Sequence, residues 1–240
     1  MSFAQQRSLI IGGSNGMGLA AARRLARLDA EVLIAGRSQA RLDAALATVE
    51  GRAAGYVADF TDPASLAALF ERIGRIDHLV LAASANAAWG PFASISADAL
   101  RGALEGKLIG YWQSLQAALP HLRRDGSVVM LSGAASRTAM PGTAGLAAVN
   151  GGITQMAQTL AKELAPLRVN VVSPGLVDTP AYDGLPAEAK AGMFAGAAKG
   201  LPVGRTGTPE DIAEAIVYLL GNGFTTGAIL DVDGGARMPA

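Results

Sequence analysis

The chain contains no cysteine and only two histidines, His78 and His121, among its 240 residues. The lack of cysteine excludes disulfides, thiolate metal ligands and a cysteine nucleophile, and two histidines argue against a histidine-rich metal site. Charge is also scarce, because 20 basic and 20 acidic residues give a formal net charge of zero. The chain therefore lacks the broad basic field of a nucleic-acid-binding protein. We expect no metal and no nucleic-acid partner.

The sequence shows no signal peptide and no clear membrane anchor. Residues 1–7 are too short and too polar for a signal peptide. Residues 138–161 carry no charge and are long enough to span a bilayer. They contain Pro141, several glycines and amide side chains such as that of Asn150, so we interpret them as a loop followed by a buried helix. We expect a cytoplasmic protein with no membrane partner.

Short apolar runs alternate with helical patterns along the whole chain. The runs are rich in Val, Ile and Leu without strict alternation, which is typical of parallel strands buried on both faces. They lie at residues 8–11, 31–35, 55–58, 78–82, 127–131, 168–172 and 228–232. Helix starts are indicated at Asp62-Pro63 and Thr208-Pro209. The alternation predicts an α/β fold, a single-domain Rossmann-type doubly wound parallel sheet of about seven strands with helices on both faces.

A glycine-rich loop joins the first strand to the first helix. The spacing of its glycines permits a tight turn and close approach of the backbone to phosphate, with the helix N-terminus facing a pyrophosphate. The alternative is an ordinary glycine-rich turn. We predict that the loop binds a dinucleotide through Gly12, Ser14, Asn15, Gly16, Met17 and Gly18.

The end of the second strand bears on the choice of dinucleotide. An acid is usual there in NAD-binding folds, whereas this chain has Gly36 followed by Arg37 and Ser38. A guanidinium can pair with a 2′-phosphate and a serine can add a hydrogen bond, so we predict NADP(H) in preference to NAD(H). The alternative is that Arg37 is a solvated residue at a helix start. Asp59 and Phe60, after the third strand, are predicted to lie beside the adenine; otherwise Asp59 is a polar strand-end cap.

Two further runs are distinctive. Residues 170–179 read Asn-Val-Val-Ser-Pro-Gly-Leu-Val-Asp-Thr, and residues 204–235 contain Gly-Arg-x-Gly-x-Pro-Glu-Asp and end in Asp-Val-Asp-Gly-Gly. With the glycine loop, these runs resemble the short-chain dehydrogenase/reductase family over nearly the whole chain. The resemblance implies a nicotinamide-dependent oxidoreductase with one cleft at the carboxyl ends of the strands. It also implies a homotetramer or homodimer packed through the long helices.

The resemblance implies a division of labour within the single domain, residues 1–240. A cofactor half would comprise about residues 1–125 and a catalytic half about residues 126–240. Residues 177–204, the least regular stretch and rich in Gly, Ala and Pro, are interpreted as a mobile lid. Cofactor contacts beyond the glycine loop are implied for Ala83, Pro174, Gly175, Val177 and Thr179.

The family's catalytic Tyr-x-x-x-Lys has no counterpart here. Counting back from residues 158–164 places Leu146 at the tyrosine position and Asn150 at the lysine position. Leucine cannot transfer a proton, and asparagine can bind the ribose only without charge. The family's serine aligns with Gly133, while Ser132 stands one residue earlier. Ser132 would either contact a substrate carbonyl or bond to the backbone.

A lysine stands where the family has an asparagine on the preceding helix. This residue is Lys107, so the chain has lysine on the first helix and Asn150 on the second, the reverse of the family pattern. We hypothesise that the two residues have exchanged places across the cleft, and that burial lowers the pKa of the lysine enough for acid/base work. The alternative is a surface lysine. The candidate catalytic residues are Lys107, Ser132 and Asn150; Tyr111 and Tyr182 are the other tyrosines considered.

Three functions remain open. The first is an NADP(H)-dependent oxidoreductase with a changed acid/base apparatus, acting on a small carbonyl, enone or imine, since hydride transfer needs only positioned reactants. The second is a non-catalytic dinucleotide-binding sensor or scaffold subunit. The third is a lyase or isomerase that uses the pocket without hydride transfer. Residues 85–92 and the lid are mainly apolar, which indicates a small hydrophobic or amphipathic substrate.

Overall fold

All seven predicted strands are present and form one parallel sheet. The computed structural model describes residues 2–83 and 88–238. The strand order is β3-β2-β1-β4-β5-β6-β7. The strands are β1 (Arg7–Ile11), β2 (Glu31–Gly36), β3 (Ala53–Val57), β4 (Ile76–Leu81), β5 (Leu122–Leu131), β6 (Arg168–Pro174) and β7 (Ile229–Val232). The predicted single-domain α/β fold is confirmed, and β5 begins five residues earlier than predicted.

Helices cover both faces of the sheet. They are α1 (Gly16–Ala26), α2 (Gln39–Leu46), α3 (Pro63–Ile73), α4 (Ala97–Ala103), α5 (Gly110–Ala118), α6 (Ala144–Glu163), α7 (Ala187–Gly200) and α8 (Pro209–Gly221). Residues from α1, α2 and α8 form the apolar core on one face, and residues from α3, α5 and α6 form it on the other. The doubly wound arrangement explains why the strands are apolar on both sides.

Successive strand residues are buried in opposite cores. Leu9, Leu79 and Val128 pack against one helical layer, whereas the residues that follow each of them pack against the other. Every one of these side chains is completely buried. A period of two within a doubly covered sheet therefore gives the continuous apolar runs seen in the sequence.

The predicted helix starts at α3 and α8 are confirmed by their caps. The Asp62 carboxylate accepts a hydrogen bond of 2.9 Å from the backbone N–H of Ala64, with Pro63 in the first helical turn. Thr208 and Asp211 form a reciprocal capping box at the start of α8. Each cap satisfies backbone N–H groups that a helix leaves free at its first turn.

The order in which the parallel strands are added to the sheet reverses between β1 and β4, and this creates a crevice at their carboxyl ends. β1 pairs with β2 on one side and with β4 on the other. The loops that follow β1 and β4 approach closely, because a Cβ on Gly12 would lie 2.6 Å from the backbone nitrogen of Ala83. Gly12 also has φ +84°, which a side chain would disfavour. Such a crevice is where doubly wound sheets bind their ligands.

The stretch interpreted as a lid is more regular than the sequence indicated. Residues 177–204 contain the fourteen-residue helix α7, none of whose residues is fully buried. Residues 138–161 form a turn followed by α6, as predicted. Within residues 2–83 and 88–238, no helix has the length and hydropathy needed to cross a membrane.

Candidate active site

The crevice holds a cavity of about 570 Å³ beside the glycine loop. Five predicted cofactor residues line it together: Ser14, Asn15, Gly16, Met17 and Thr179. The two walls meet closely, because a Cβ on Gly16 would lie 3.5 Å from Cβ of Thr179. The loop after β1 and the segment after β6 thus face each other across one cleft, as the sequence predicts.

The glycine loop has the form of a phosphate cradle. A Cβ on Gly18 would lie 2.2 Å from the carbonyl oxygen of Gly12, so only glycine lets the loop and the helix pack together. α1 starts at Gly16, its N-cap Asn15 makes no side-chain cap, and its first turn contains no acid. The N–H groups and the positive end of the helix dipole are therefore left to an anionic ligand, and the cradle fits a pyrophosphate.

The end of β2 carries Gly36 and Arg37 where NAD-binding folds usually carry an acid. A Cβ on Gly36 would already lie 3.3 Å from Oγ of Ser14, so a longer acidic side chain would crowd that hydroxyl. Arg37 is exposed and follows at once. The Ser38 hydroxyl caps α2 by accepting a hydrogen bond of 3.4 Å from the backbone of Arg41.

Arg41 is a cleft residue that the sequence reasoning missed. Its side chain is exposed and lines the cavity with Ser14 and Asn15, whereas Arg37 and Ser38 are not among the lining residues. No local pattern marked it, because Arg41 reaches the cleft only through the position at which α2 begins.

The residues predicted to meet the adenine are held by the protein itself. The Asp59 carboxylate accepts hydrogen bonds from the Thr61 backbone at 2.9 Å and from its hydroxyl at 2.7 Å. These two bonds lower the pKa of Asp59, and the nearby charge of Arg37 lowers it further. The Phe60 ring is buried in the core against Gly110, where a Cβ would lie 2.4 Å from it. Neither residue lines the cavity.

The Pro-Gly segment after β6 is fixed by its neighbours. Pro174 ends the strand, and the N–H of Gly175 donates to the carbonyl of Val232 at 2.9 Å. Val177 is buried and forms a single parallel bridge with Gly207. These contacts hold the backbone so that Thr179, two residues further on, reaches the cleft wall.

A lysine holds the lid segment beside this wall. The Lys190 ammonium of α7 contacts the carboxylates of Asp178 and Asp183, each at 2.9 Å. Its hydrogen bonds to Asp178 and Asp183 raise the pKa of Lys190. The helix is thereby tied to the stretch that carries Thr179. Mobility of residues 177–204 stays a prediction.

The three candidate catalytic residues form one buried cluster. Nζ of Lys107 donates to Oδ1 of Asn150 at 2.8 Å and to the backbone carbonyl of Ser132 at 3.0 Å. The Ser132 hydroxyl donates to the backbone carbonyl of Asn150 at 3.1 Å. Lys107 is only 9% exposed, so the alternative of a surface lysine is wrong. The two residues of the hypothesised exchange are in direct contact.

Local backbone features bring Lys107 to Asn150. Lys107 lies in a π-helical turn, Leu104–Ile109, which connects α4 to α5. Such turns widen a helix and are frequent at functional sites. The neighbouring helix α6 comes close at Gly152, where a Cβ would lie 2.9 Å from the Leu108 side chain. A larger residue at that position would push the two helices apart.

The Lys107 ammonium is buried among neutral groups. Its two partners among the described residues, an amide oxygen and a carbonyl oxygen, carry partial rather than full negative charge. Loss of solvation lowers the pKa of Lys107 from 10.5 to about 8. A lysine with such a pKa is partly deprotonated near neutral pH, and it can therefore donate and accept protons there.

Asn150 also fills the space next to the end of β5. A Cβ on Gly133 would lie 2.8 Å from Nδ2 of Asn150, so a serine there would require the amide to move. Leu146, one turn earlier on α6, is partly buried. α6 contains no tyrosine, and its one lysine, Lys162, is exposed.

The other tyrosines considered are poorly suited to proton transfer. Tyr111 is completely buried, its hydroxyl donates to the carbonyl of Ala83 at 2.7 Å, and burial raises its pKa. Tyr182 packs edge-on against Phe194 with ring centroids 5.4 Å apart, and burial raises its pKa as well. Residues 84–87, which include part of the predicted cleft wall, lie outside the described residues.

Comparison with known proteins assigns the family. A family model described as enoyl-(acyl carrier protein) reductase matches residues 12–237. The cis-4-hydroxycyclohexanecarboxylate dehydrogenase of Sinomonas cyclohexanicum is 34% identical over 246 residues, which cover 98% of this chain and 97% of that protein. The 3-oxoacyl-(acyl-carrier-protein) reductase of Thermotoga maritima is 30% identical over 249 residues, which cover 95% of this chain and 96% of that protein.

Solved structures agree with this assignment. A small-chain dehydrogenase in complex with NADPH superposes with a TM-score of 0.86 at 31% identity, covering 98% of this chain and 99% of that one. The MalC reductase/Diels-Alderase of Malbranchea aurantiaca gives a TM-score of 0.90 at 26% identity, covering 99% and 98%. The chain belongs to the short-chain dehydrogenase/reductase family, whose members use a nicotinamide cofactor.

Replacing Lys107 with methionine should change how stability depends on pH. The folded protein lowers the pKa of Lys107 from 10.5 to about 8, so burial of the charge destabilises the fold below pH 8 and this penalty disappears as the pH rises to 10.5. Denaturant unfolding from pH 7 to pH 10 should show the free energy of unfolding of the native protein rising relative to the variant by roughly 3 kcal/mol. A matched Lys162→Met control should show no such trend, and a pH-independent Lys107→Met difference would contradict the buried charge.

Proposed function

We propose that this chain is an NADP(H)-dependent oxidoreductase that reduces an activated carbonyl, enone or imine and that uses Lys107 as its proton donor. One observation carries the proposal: the Lys107 ammonium is buried and bonded to Asn150 and Ser132 in a chain that also has a phosphate cradle. An ammonium buried among neutral groups is costly, and perturbed titratable groups of this kind concentrate at functional sites.

The preference for NADP(H) is supported by the end of β2. Gly36 leaves no acid to bind a ribose 2′-hydroxyl, and Arg37 and Arg41 offer two guanidinium groups near the start of α2. Arginine binds phosphate with parallel N–H bonds and is well suited to a 2′-phosphate. A structural neighbour was solved with NADPH, which agrees with this preference.

Lys107 would act on the oxygen or nitrogen that becomes negative during reduction. The bound cofactor supplies a hydride. An ammonium has three N–H donors, and the partners Asn150 and Ser132 account for two of them. Among the described residues the third N–H has no acceptor, so it would stabilise the developing charge and transfer its proton. Asn150 and Ser132 would orient the ammonium, since each holds it through an oxygen atom.

The changed apparatus favours substrates that accept a hydride readily, with Lys107 supplying the proton that completes the reduction. A partly buried leucine, Leu146, stands where the family's tyrosine is expected. An iminium ion or an activated enone accepts hydride more readily than a simple ketone does. The substrate would therefore be of this activated kind, and rapid reduction of ordinary ketones would contradict the proposal.

A non-catalytic dinucleotide-binding protein is the second candidate. The observation that favours it is that Lys107 is 9% exposed and already bonded to two protein oxygens. If those bonds serve only to tie the two helices together, NADP(H) would bind without turnover. Measurement of binding and of NADPH oxidation separates the two candidates.

Self-association through α5 and α6 is also proposed. An apolar groove of about 510 Å³ lies between the two helices. It is lined by Trp112, Leu115, Gln116, Leu119, Gly152, Gln155, Met156, Thr159, Leu160, Glu163 and Leu164. Trp112 is 52% exposed, which is unusual for a large apolar side chain. This groove supports the expected homodimer or homotetramer, in a protein expected to be cytoplasmic.

Calorimetric titration should show that NADPH binds in the micromolar range and more tightly than NADH. Arg37→Ala and Arg41→Ala should each weaken NADPH binding about tenfold and leave NADH binding nearly unchanged, because only NADPH carries the 2′-phosphate. Arg124→Ala is a suitable control, since Arg124 is exposed on β5 at the opposite end of the sheet. If neither NADPH nor NADH binds, the proposal that this chain is an oxidoreductase is refuted.

The rate of enone reduction should depend on the protonation of Lys107. As the pKa of Lys107 is about 8, kcat/KM should fall as the pH rises through 8. Lys107→Met should lower kcat by about 10²–10⁴-fold and remove this pH dependence. Lys162→Met should behave like the native protein. A Lys107→Met variant with native kcat and pH profile would exclude Lys107 as the proton donor.

A further inference from the structure

Three large apolar side chains stand exposed at the carboxyl end of the sheet. Trp89 is 62% exposed, Phe92 is 83% exposed and Met140 is 57% exposed. They belong to two loops, one after β4 and one after β5, which are joined by a hydrogen bond of 2.9 Å from the N–H of Gly90 to the carbonyl of Gly142. We call Trp89, Phe92 and Met140 the apolar rim. Exposed apolar groups collected at one place usually mark a binding surface.

The backbone that carries Trp89 is strained. Ala88, which precedes it, has φ +65°, a left-handed conformation that non-glycine residues rarely adopt. Gly90, which follows it, has φ +139°. Backbone strain of this kind is found mainly at functional sites. The turn buries Ala88 and leaves the indole of Trp89 in solvent.

The apolar rim adjoins the helix that carries Asn150. A Cβ on Gly145 would lie 2.4 Å from the carbonyl oxygen of Ala88, so the first turn of α6 packs directly against the strained loop. The next residue on α6 is Leu146, and Asn150 follows one turn later. The rim and the Lys107 cluster are thus connected through the first two turns of α6.

The chain around the rim carries no charge. Residues 79–97 and residues 138–161 contain no Asp, Glu, Lys or Arg. A charged group placed against such a surface would lose solvation without gaining a partner. Flat indole and phenyl surfaces and a thioether instead favour a neutral ring.

We propose that the apolar rim binds a neutral, ring-bearing part of the substrate, so that the substrate class is an enone, imine or carbonyl compound conjugated to a flat ring. This inference deepens the proposed function and rests on it. It extends the sequence-based expectation of a small hydrophobic compound, because a ring that reaches Trp89 and Phe92 makes the substrate elongated.

Two enones that differ only in their apolar end provide the test. Benzylideneacetone carries a phenyl ring where 3-penten-2-one carries a methyl group. Their binding to the full chain saturated with NADP⁺ is measured by calorimetry and by fluorescence of Trp89 in a Trp112→Phe background. The native protein should bind the phenyl enone about tenfold more tightly than the methyl enone, and Trp89→Ala and Phe92→Ala should each abolish most of this preference. Phe224→Ala should retain it, because Phe224 is a fully exposed phenylalanine at the opposite end of the sheet.

The outcomes separate the rim from the proposed function. Equal affinity for the two enones, or a preference that survives both rim substitutions, would overturn the inference. A change of sedimentation in the rim variants, with the ligand preference intact, would identify an interface between copies of this chain and would also overturn it. NADPH oxidation is followed separately. Rim-dependent binding without NADPH oxidation would support the apolar rim as a binding surface and contradict the proposed oxidoreductase activity. NADPH oxidation with an unchanged KM in the rim variants would support the oxidoreductase activity and overturn the inference about the rim.

Discussion

The hydrogen bond between the Lys107 ammonium and the Asn150 amide oxygen joins the two helices that frame the candidate active site. Burying a full positive charge among neutral groups is unfavourable unless dipoles replace the lost water. Asn150 and the carbonyl of Ser132 supply those dipoles. The same contacts leave no room for a side chain at Gly133, because the Asn150 amide lies where a serine side chain would be. The positions at which the chain departs from its family are therefore physically coupled.

Close backbone approaches set the positions of both halves of the site. Gly12 lets the loops after β1 and β4 touch, Gly145 lets α6 pack on the strained loop, and Gly152 lets α6 meet the Lys107 turn. A side chain at any of these positions would prevent the contact. The glycines are therefore needed because they lack a side chain, and not because they are flexible. The phosphate cradle, the Lys107 cluster and the apolar rim all lie at the carboxyl ends of the strands.

The fold was predictable because short stretches of sequence determine which strands are buried and where helices are capped. All seven predicted strands and the caps at Asp62 and Thr208 are present. The Lys107–Asn150 contact was predictable only through the family pattern, since a separation of 43 residues leaves no local signal. Arg41 was missed because its role depends on where α2 begins. The order of residues 187–200 was missed because glycine and alanine suit loops as well as an exposed helix. The strain at Ala88 has no signature in sequence at all.

The ionisation of Lys107 can be observed directly by NMR titration of protein labelled with ¹³C-lysine. The chain has four lysines, Lys107, Lys162, Lys190 and Lys199, and the Lys107→Met variant assigns the signal. We predict that the pKa of Lys107 is near 8, clearly below that of Lys190, whose pKa is raised by its two carboxylates. A Lys107 pKa at the ordinary value of 10.5 would show that the ammonium is solvated, and it would contradict a buried lysine that takes over proton transfer.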